Sequence, residues 1–275
     1  MLLKVIFYVV IFIIGTLFGN FATLAIYRLP LKKDLTKEKS ICPKCKHELK
    51  FLDLIPVWSY IFLGGKCRYC KEKIGIRYLL VEILSGIIAV LLFLTLQVKL
   101  EEINPAIMIN FLYLAMYMTT FMIIAVIDKD EKVIYRKVIL FGTLVATGYL
   151  FYMYIMKNIG MNYVYKYSIY IISILILYYI NNTKKDNYII DLIILIEYMQ
   201  LFFTTEDTII TVLITIFVSL LMVVLQKSKP VDKSNILEEY EKDKIELPIA
   251  FYLGISNIIA LIIQVGVMYW FKILK

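Results

Sequence analysis

Four cysteines, all that the chain contains, stand in two short pairs on a lysine-rich segment between two apolar runs of membrane-spanning length. The pairs are Cys42-Pro-Lys-Cys45 and Cys67-Arg-Tyr-Cys70. Two C-x-x-C turns about 20 residues apart are typical of a structural zinc ribbon, because four thiolates satisfy the tetrahedral preference of Zn²⁺. The sequence therefore predicts that this segment folds around zinc. Four cysteines close the coordination shell, so the metal would have a structural role.

Two other interpretations of the cysteine pairs remain open. One is that they are redox centres or disulfides, although the positive charge around them favours the reducing cytoplasmic side of a membrane, where structural disulfides are rare. The other is that His47, the one histidine of the chain, replaces a cysteine ligand. Because four cysteines already complete a shell, the sequence favours Cys42, Cys45, Cys67 and Cys70 as the metal ligands.

The composition is that of a protein whose solvent is lipid. Apolar residues make up 61% of the 275 residues, charged residues only 19%, and the mean hydropathy is +0.79. These values exclude an ordinary soluble domain and predict an all-α polytopic membrane protein with about eight transmembrane helices. The zinc-ribbon-like loop, at about 28–77, lies between helices 1 and 2. The predicted helices follow the apolar runs 4–26, 78–98, 105–127, 137–156, 163–180, 188–204, 208–226 and 249–271.

Basic residues accumulate on alternate predicted loops, which indicates the orientation in the membrane. Short basic loops stay in the cytoplasm during insertion, so we expect the zinc loop and the other basic loops to face the cytoplasm. The net charge of +8 then reflects this asymmetry and an attraction to anionic membrane lipid, and no nucleic-acid partner is predicted. Of the 30 Lys and Arg residues, 24 fall in the segments 28–77, 128–137, 181–187 and 227–248.

Two aspartates occupy equivalent positions at the predicted cytoplasmic ends of helices. Asp128 lies where the third helix reaches the cytoplasm and Asp191 where the sixth leaves it, so both carboxylates are expected at one depth on one membrane face. A carboxylate at depth costs on the order of 3 kcal/mol, so such residues tend to be functional. Two aspartates that share a proton supply the acid and the base for peptide hydrolysis. The alternative is that Asp128 is a solvated helix end beside Lys129 and Lys132, and that Asp191 caps a helix amino terminus.

Three further acidic residues lie near the predicted helix ends or inside the predicted helices. Asp186 shares the predicted cytoplasmic loop with Asp191 and is its competitor. Glu197 follows Asp191 by six positions, which directs it to another face of the helix, and it is expected to pair inside the helix bundle. Glu82, near the start of the second helix, is expected either to pair with a neighbouring basic residue or to have the role described below.

Three stretches of the sequence carry a family resemblance. The most specific lies between Cys42 and Glu82 and includes Asp53-Leu-Ile-Pro-Val-Trp-Ser-Tyr60 and Gly64-Gly-Lys-Cys-Arg-Tyr-Cys70. Upstream stands Tyr27-Arg-Leu-Pro30, and near the other end Leu247-Pro-Ile-Ala-Phe251. These stretches resemble the type IV prepilin peptidases, the leader peptidase/N-methyltransferases, and the resemblance spans almost the whole chain.

This resemblance implies an intramembrane aspartyl peptidase that faces the cytoplasm from the bacterial inner membrane. Such an enzyme removes the basic leader of prepilins or pseudopilins, and many members then methylate the new amino terminus from S-adenosylmethionine. By the family pattern, the catalytic aspartates are Asp128 and Asp191, and Glu82 corresponds to a position linked to methyl transfer. The implied organisation is a part at 1–100, with the first two helices, the zinc loop and the methyl-transfer function, and a transmembrane aspartyl peptidase part at 101–275.

The chain departs from the family pattern close to both aspartates. Tyr188 and Ile190 stand where the family has the glycines of glycine-x-glycine-aspartate, and Arg136 stands where it has an aspartate or asparagine. Asn20 in place of a serine weakens the methyl-transfer inference. Two alternatives to the peptidase are kept: a catalytically silent membrane scaffold for pilus or secretion assembly, and a small-solute transporter. The sequence disfavours the transporter because it has no paired broken helices in repeated halves.

Overall fold

The computed structural model describes residues 2–37, 39–95, 104–156, 159–183, 187–201, 209–210, 212–218, 220–221 and 248–260. Among them, β-type pairing is limited to two isolated bridges, so the predicted all-α fold is confirmed. A 3-10 turn at Phe51–Asp53 precedes the second helix. The helices include α1 (Leu2–Arg28), α2 (Trp58–Phe62), α3 (Ile76–Thr95), α4 (Pro105–Glu131), α5 (Arg136–Ile155), α6 (Met161–Thr183), α7 (Tyr188–Met199) and α8 (Ile249–Ala260). The described residues among 209–221 are helical as well.

Five of these helices, α1, α3, α4, α5 and α6, are long and apolar enough to cross a membrane. The predicted polytopic membrane fold is therefore confirmed. In the part that the structure describes, α7 and α8 are shorter than a spanning helix. The predicted runs 208–226 and 249–271 lie partly outside the described residues, so the count of eight transmembrane helices stays a prediction.

The chain forms two compact units, with their boundary inside α4. The amino-terminal unit runs to Ile123 and contains α1, the cysteine loop, α2, α3 and the first part of α4. The carboxy-terminal unit, Ile124–Leu261, contains the end of α4, α5, α6, α7 and α8. The cysteine cluster thus belongs to the first unit, whereas both predicted catalytic aspartates belong to the second.

In the amino-terminal unit, α1 and α3 pack with their backbones in close contact. A Cβ atom added at Gly15 would lie only 2.5 Å from the Cβ of Ala89, and one added at Gly19 only 2.8 Å from the Cα of Glu82. Small residues permit this approach, which is a common means of joining helices in membranes. The contact fixes the spacing of the two helix ends between which the cysteine loop runs.

In the carboxy-terminal unit, α5, α6 and α7 pack against one another. The start of α7 is fixed by Asn187, whose side-chain Oδ1 accepts a hydrogen bond from the backbone N–H of Ile189 at 2.9 Å. This is the usual role of an Asn side chain at a helix start, because the first N–H groups have no partner within the helix. The cap places Asp191 in the first turn of α7, where the sequence predicted it.

Candidate active site and metal centre

Asp128 lies in the last turn of α4, and its side chain contacts two other helices. The residue is 0% exposed. Its Oδ1 accepts a hydrogen bond from the Tyr188 hydroxyl at 2.8 Å, and its Oδ2 accepts one from the backbone N–H of Phe251 at 3.0 Å. The N–H groups in the first turn of α8 have no partner within the helix, and the Asp128 side chain satisfies one of them. Asp128 is therefore a buried acid held by three helices and not a solvated helix end.

Tyr188 is a site residue that the sequence analysis did not identify as one. Its hydroxyl donates to Asp128 and also accepts a hydrogen bond from the backbone N–H of Ala250 at 3.4 Å. The side chain thus connects the start of α7 to Asp128 and to the start of α8. The sequence contained one indication of this role. A tyrosine stands where the family has a glycine, and such a side chain needs space and a hydrogen-bond partner for its hydroxyl.

Asp191 is held by a different set of partners. The residue is 6% exposed. Its Oδ1 accepts a hydrogen bond from the Asn181 side-chain amide, in the last turns of α6, at 2.8 Å. The same oxygen lies 3.4 Å from Nε of Arg136, the first residue of α5. Asn181 also bonds the backbone of Asn187, so one amide connects the end of α6 to the start of α7.

The contacts bring both aspartates to the same end of the carboxy-terminal unit. Asp128 lies in the last turn of α4, and Arg136, which pairs with Asp191, begins the next helix five residues after α4 ends. Tyr188 and Asp191 lie in the same first turn of α7, and Tyr188 binds Asp128. Two of the departures from the family pattern thus each contact one aspartate: Tyr188 contacts Asp128, and Arg136 contacts Asp191.

Glu197, a further acidic residue of this unit, lies apart from both aspartates. Glu197, near the end of α7, accepts a hydrogen bond from the Ser173 hydroxyl at 2.9 Å, so the prediction that it pairs inside the bundle is confirmed. It lies six residues beyond Asp191, on another turn of the helix. Asp186, the predicted competitor of Asp191, lies outside the described residues.

The four cysteines form one cluster, and all four are free thiols. Their Sγ atoms lie within 4.8 Å of one another, and the Sγ atoms of Cys42 and Cys70 are 3.8 Å apart. Four thiolates at about 2.3 Å from a central Zn²⁺ would lie about 3.8 Å apart in a tetrahedron, so this donor set fits a closed zinc site. The ring of His47 packs instead against the ring of Tyr69, with the centroids 3.6 Å apart.

Both cysteine pairs adopt the same tight turn. In the first, the backbone N–H of Cys42 donates to the carbonyl of His47 at 3.0 Å, and the equivalent bond in the second is 2.8 Å long. The residue after each pair, Lys46 or Lys71, has a positive φ of 57° or 60°. A left-handed residue at this point reverses the chain, which directs both cysteines of a pair to the same side.

The pKa values of two thiols in the cluster are shifted in opposite directions. The backbone N–H of Cys45 lowers the pKa of the Cys42 thiol to about 7. At Cys70, the backbone N–H of Glu72 lowers the pKa, but loss of solvent and the three neighbouring thiols outweigh it and raise the pKa to about 11. One thiolate therefore forms readily, but the same cluster opposes a second one. A divalent metal removes this conflict, because it favours the deprotonated form of every ligand.

Glu82 of α3 holds the backbone of the cysteine loop. Its Oε2 accepts a hydrogen bond from the backbone N–H of Val57 at 2.6 Å. On the facing helix α1, the side-chain amide of Asn20 donates to the carbonyl of Leu54 at 3.1 Å. The segment between the two cysteine pairs is thus attached to both α1 and α3.

Comparison with known proteins gives a match to the amino-terminal part of the chain. The model of the bacterial peptidase A24 N-terminal domain matches residues 13–96. A prepilin leader peptidase/N-methyltransferase of Vibrio cholerae is 40% identical over 91 residues, which are 30% of this chain and 36% of that protein. The protein of the same name from Bacillus subtilis is 27% identical over 132 residues, 48% of this chain and 50% of that protein.

These matches cover only part of each relative. The chain spans about a third of the Vibrio cholerae protein and 24% of the Myxococcus xanthus prepilin leader peptidase/N-methyltransferase, to which it is 38% identical over 82 residues. No solved structure matches the chain. The matched family domain contains all four cysteines and Glu82 and ends before Asp128.

Proposed function

Because the resemblance to the type IV prepilin peptidase family is confirmed through its amino-terminal domain, we propose that this protein removes the leader from type IV prepilins or pseudopilins. The reaction takes place at the cytoplasmic face of the bacterial inner membrane, and Asp128 and Asp191 perform it. The observation that carries the proposal is a pair of buried carboxylates at one end of one helical unit, each with different partners. A carboxylate pair is the arrangement that hydrolyses peptides in aspartic proteases.

The different partners of the two aspartates assign their roles. Arg136 places a positive charge beside Asp191, which therefore remains ionised and acts as the base. Asp128, whose partners are the neutral hydroxyl of Tyr188 and the N–H of Phe251, holds the shared proton and acts as the acid. Asp191 takes a proton from water as the water oxygen attacks the scissile carbonyl carbon, and Asp128 donates its proton to the carbonyl oxygen. The C–N bond then breaks, the departing nitrogen takes the proton that Asp191 removed, and the proton on the former carbonyl oxygen returns to Asp128 as the C=O bond forms again.

The location of the bond to be cut in a prepilin agrees with an active site at the cytoplasmic membrane boundary. A prepilin lies in the bilayer with its basic leader in the cytoplasm, so the bond to be cut lies at the membrane boundary. A glycine at that junction costs about 1 kcal/mol of helix stability, which helps the backbone to unwind and expose its carbonyl. The two aspartates, at the end of α4 and the start of α7, would meet the substrate at that boundary.

Zinc and S-adenosylmethionine complete the proposal. Zn²⁺ would be held by Cys42, Cys45, Cys67 and Cys70 as a structural ion, with no part in the hydrolysis. S-adenosylmethionine would supply the methyl group for the new amino terminus, as the names of the relatives imply. Glu82 holds Val57 of the cysteine loop, so any contribution from it to methyl transfer would pass through the position of that loop.

The proposed function is tested by reconstituting the protein with a prepilin-type substrate in lipid vesicles and measuring the intact mass of the substrate. We expect loss of the leader after a glycine at the boundary between the basic and apolar segments. One added methyl group on the product in the presence of S-adenosylmethionine supports the second activity. An unprocessed substrate with correctly folded protein would favour the scaffold.

Replacing Tyr188 with Phe is expected to slow the cleavage by roughly tenfold, because leaving a buried hydrogen-bonding group without its partner costs about 1–3 kcal/mol. The substitution should lower kcat with little effect on KM, because the Tyr188 hydroxyl contacts Asp128, which takes part in the proposed reaction. Steady-state rates with a prepilin-type substrate measure it. The matched control is Tyr179→Phe on α6, whose side chain is exposed. Equal rates for Tyr188→Phe and the wild type would show that the Tyr188 hydroxyl does not contribute to the reaction.

Replacing Arg136 with Met is expected to slow the cleavage more strongly, by about 100-fold, because the carboxylate of Asp191 would be left buried without its cation. Arg136→Lys keeps the charge and should recover part of the rate. Lys137→Met, at the neighbouring exposed position, is the control and should behave as the wild type. If Arg136→Met and Lys137→Met cleave equally fast, the assignment of Asp191 as the ionised member is wrong.

A further inference from the structure

Large apolar side chains project from the cysteine loop between the two cysteine pairs. They come from the 3-10 turn and from α2, and they include a stacked pair, Trp58 and Phe62, with the ring centroids 6.1 Å apart. A cluster of large exposed apolar side chains marks a surface that meets a membrane or another molecule. We call this cluster the apolar rim; its members, with their exposed fractions, are Phe51 (81%), Leu52 (64%), Trp58 (54%), Ile61 (59%) and Phe62 (81%).

The segment between the two parts of the rim lies well inside the ends of α1 and α3. Leu54 is bonded to Asn20, eight residues before the end of α1, and Val57 is bonded to Glu82, six residues after the start of α3. At about 1.5 Å per residue, these contacts lie about 12 Å and about 9 Å inside the helix ends. Both helices are long and apolar enough to span a membrane. The loop therefore turns back alongside the ends of two helices that are long and apolar enough to span a membrane.

The loop is held firmly in this position. Val57 has a φ of 63°, which is unfavourable for a β-branched residue, and its N–H is bound by Glu82. Asp53 receives hydrogen bonds from Arg68 Nε at 2.5 Å and from the backbone N–H of Lys50 at 3.1 Å. Burial raises the pKa of Asp53, but these donors outweigh burial and keep the pKa below its ordinary value, so the pairing persists at neutral pH. The rim is thus attached to the second cysteine turn and to α3.

We infer that the cysteine loop docks onto the lipid bilayer, with the apolar rim inserted into the interfacial region. Trp and other aromatic side chains are favoured at this level of a membrane. The loop is also rich in lysine, which anionic lipid headgroups attract at about 1 kcal/mol per charge near the surface. The occupant of the rim is therefore anionic lipid. The inference depends on the membrane fold and not on the proposed reaction, so either can fail without the other.

Tryptophan fluorescence of the full-length chain in vesicles tests this insertion. The chain has two tryptophans, so Trp270→Phe leaves Trp58 as the sole reporter. In vesicles containing anionic phospholipid with brominated acyl chains, we expect the Trp58 emission to fall by roughly half and to be protected from aqueous iodide, as for an interfacial residue. Emission that is unaffected by bromine and quenched by iodide would overturn the inference, and would mean that the rim faces water or a protein partner.

Two further tryptophan probes distinguish insertion of the rim from an effect that is local to Trp58. Lys44→Trp, in a background with Trp58→Phe and Trp270→Phe, places the probe in the first cysteine turn, where the native side chain is 67% exposed and pairs with Glu72. We expect this probe to be quenched by iodide and not by bromine. Phe51→Trp in the same background should report bromine quenching as Trp58 does. Equal bromine quenching at positions 44 and 51 would show that insertion is not specific to the rim and would overturn the inference.

Discussion

Replacing Asp128 or Asp191 with Asn is expected to lower the rate of leader removal by about 10³-fold in each case, because each variant loses one partner of the acid and base pair. Asn has nearly the same volume, and its side-chain oxygen can still accept the hydrogen bond from Tyr188 or from Asn181. Loss of activity should therefore occur without loss of the fold. Single-turnover rates in vesicles, with excess enzyme over a prepilin-type substrate, measure the chemical step.

The matched control for these variants is Glu197→Gln. Glu197 is a carboxylate of the same helix as Asp191, and it bonds Ser173 and not the site residues. We expect its rate to stay within about twofold of the wild type, as for a substitution remote from the reacting groups. A rate loss at Glu197 equal to that at Asp191 would show that the reaction depends on either carboxylate of α7, and would contradict the assignment of the pair.

Replacing Cys42 or Cys67 with Ser is expected to remove most of the bound zinc and to unfold the cysteine loop. Structural zinc contributes about 10–16 kcal/mol of apparent binding free energy in small domains, and this energy depends on a complete thiolate shell. Elemental analysis should give one zinc ion per wild-type chain and at least about tenfold less in either variant. Trypsin should then cut rapidly at the lysines of the loop.

The control in this experiment is His47→Phe. His47 lies beside the first cysteine pair, and its ring packs on Tyr69, a contact that Phe can retain. We expect full zinc content and an intact loop, because the four cysteines complete the shell. Loss of zinc in His47→Phe, with zinc retained in Cys42→Ser, would show that the metal site uses His47 in place of Cys42. Zinc should also be released as the pH falls, because protons compete for the thiolates.

The parts of the structure that could be predicted from the sequence are those fixed by local pattern. Hydrophobic length identified α1, α3, α4, α5 and α6 because a bilayer imposes that length on any spanning helix. The spacing of the cysteines predicted their cluster because two C-x-x-C turns supply four ligands at metal-binding distances. Topology placed Asp128 and Asp191 at equivalent helix ends, and the contacts of Tyr188 and Arg136 agree with that placement.

The partners of these residues could not be predicted, because they depend on how distant segments pack. Tyr188 is 60 positions from Asp128, and Phe251 is 123 positions from it. Glu82 was expected to pair with a basic neighbour or to serve methyl transfer, and it binds the backbone of Val57, a contact that requires the loop to fold back between α1 and α3. Backbone donors carry no sequence signal, so only a structure identifies them.

The central claim, that Asp128 and Asp191 act in one site, is tested most directly by the double variant Asp128→Asn with Asp191→Asn. Groups that act as a unit give non-additive losses, so we expect the double variant to cleave a prepilin-type substrate within about threefold of the slower single variant. Two independent groups would instead give the product of the two single losses, about 10⁶-fold. A fully additive loss, or leader removal at the wild-type rate in either single variant, would contradict the claim.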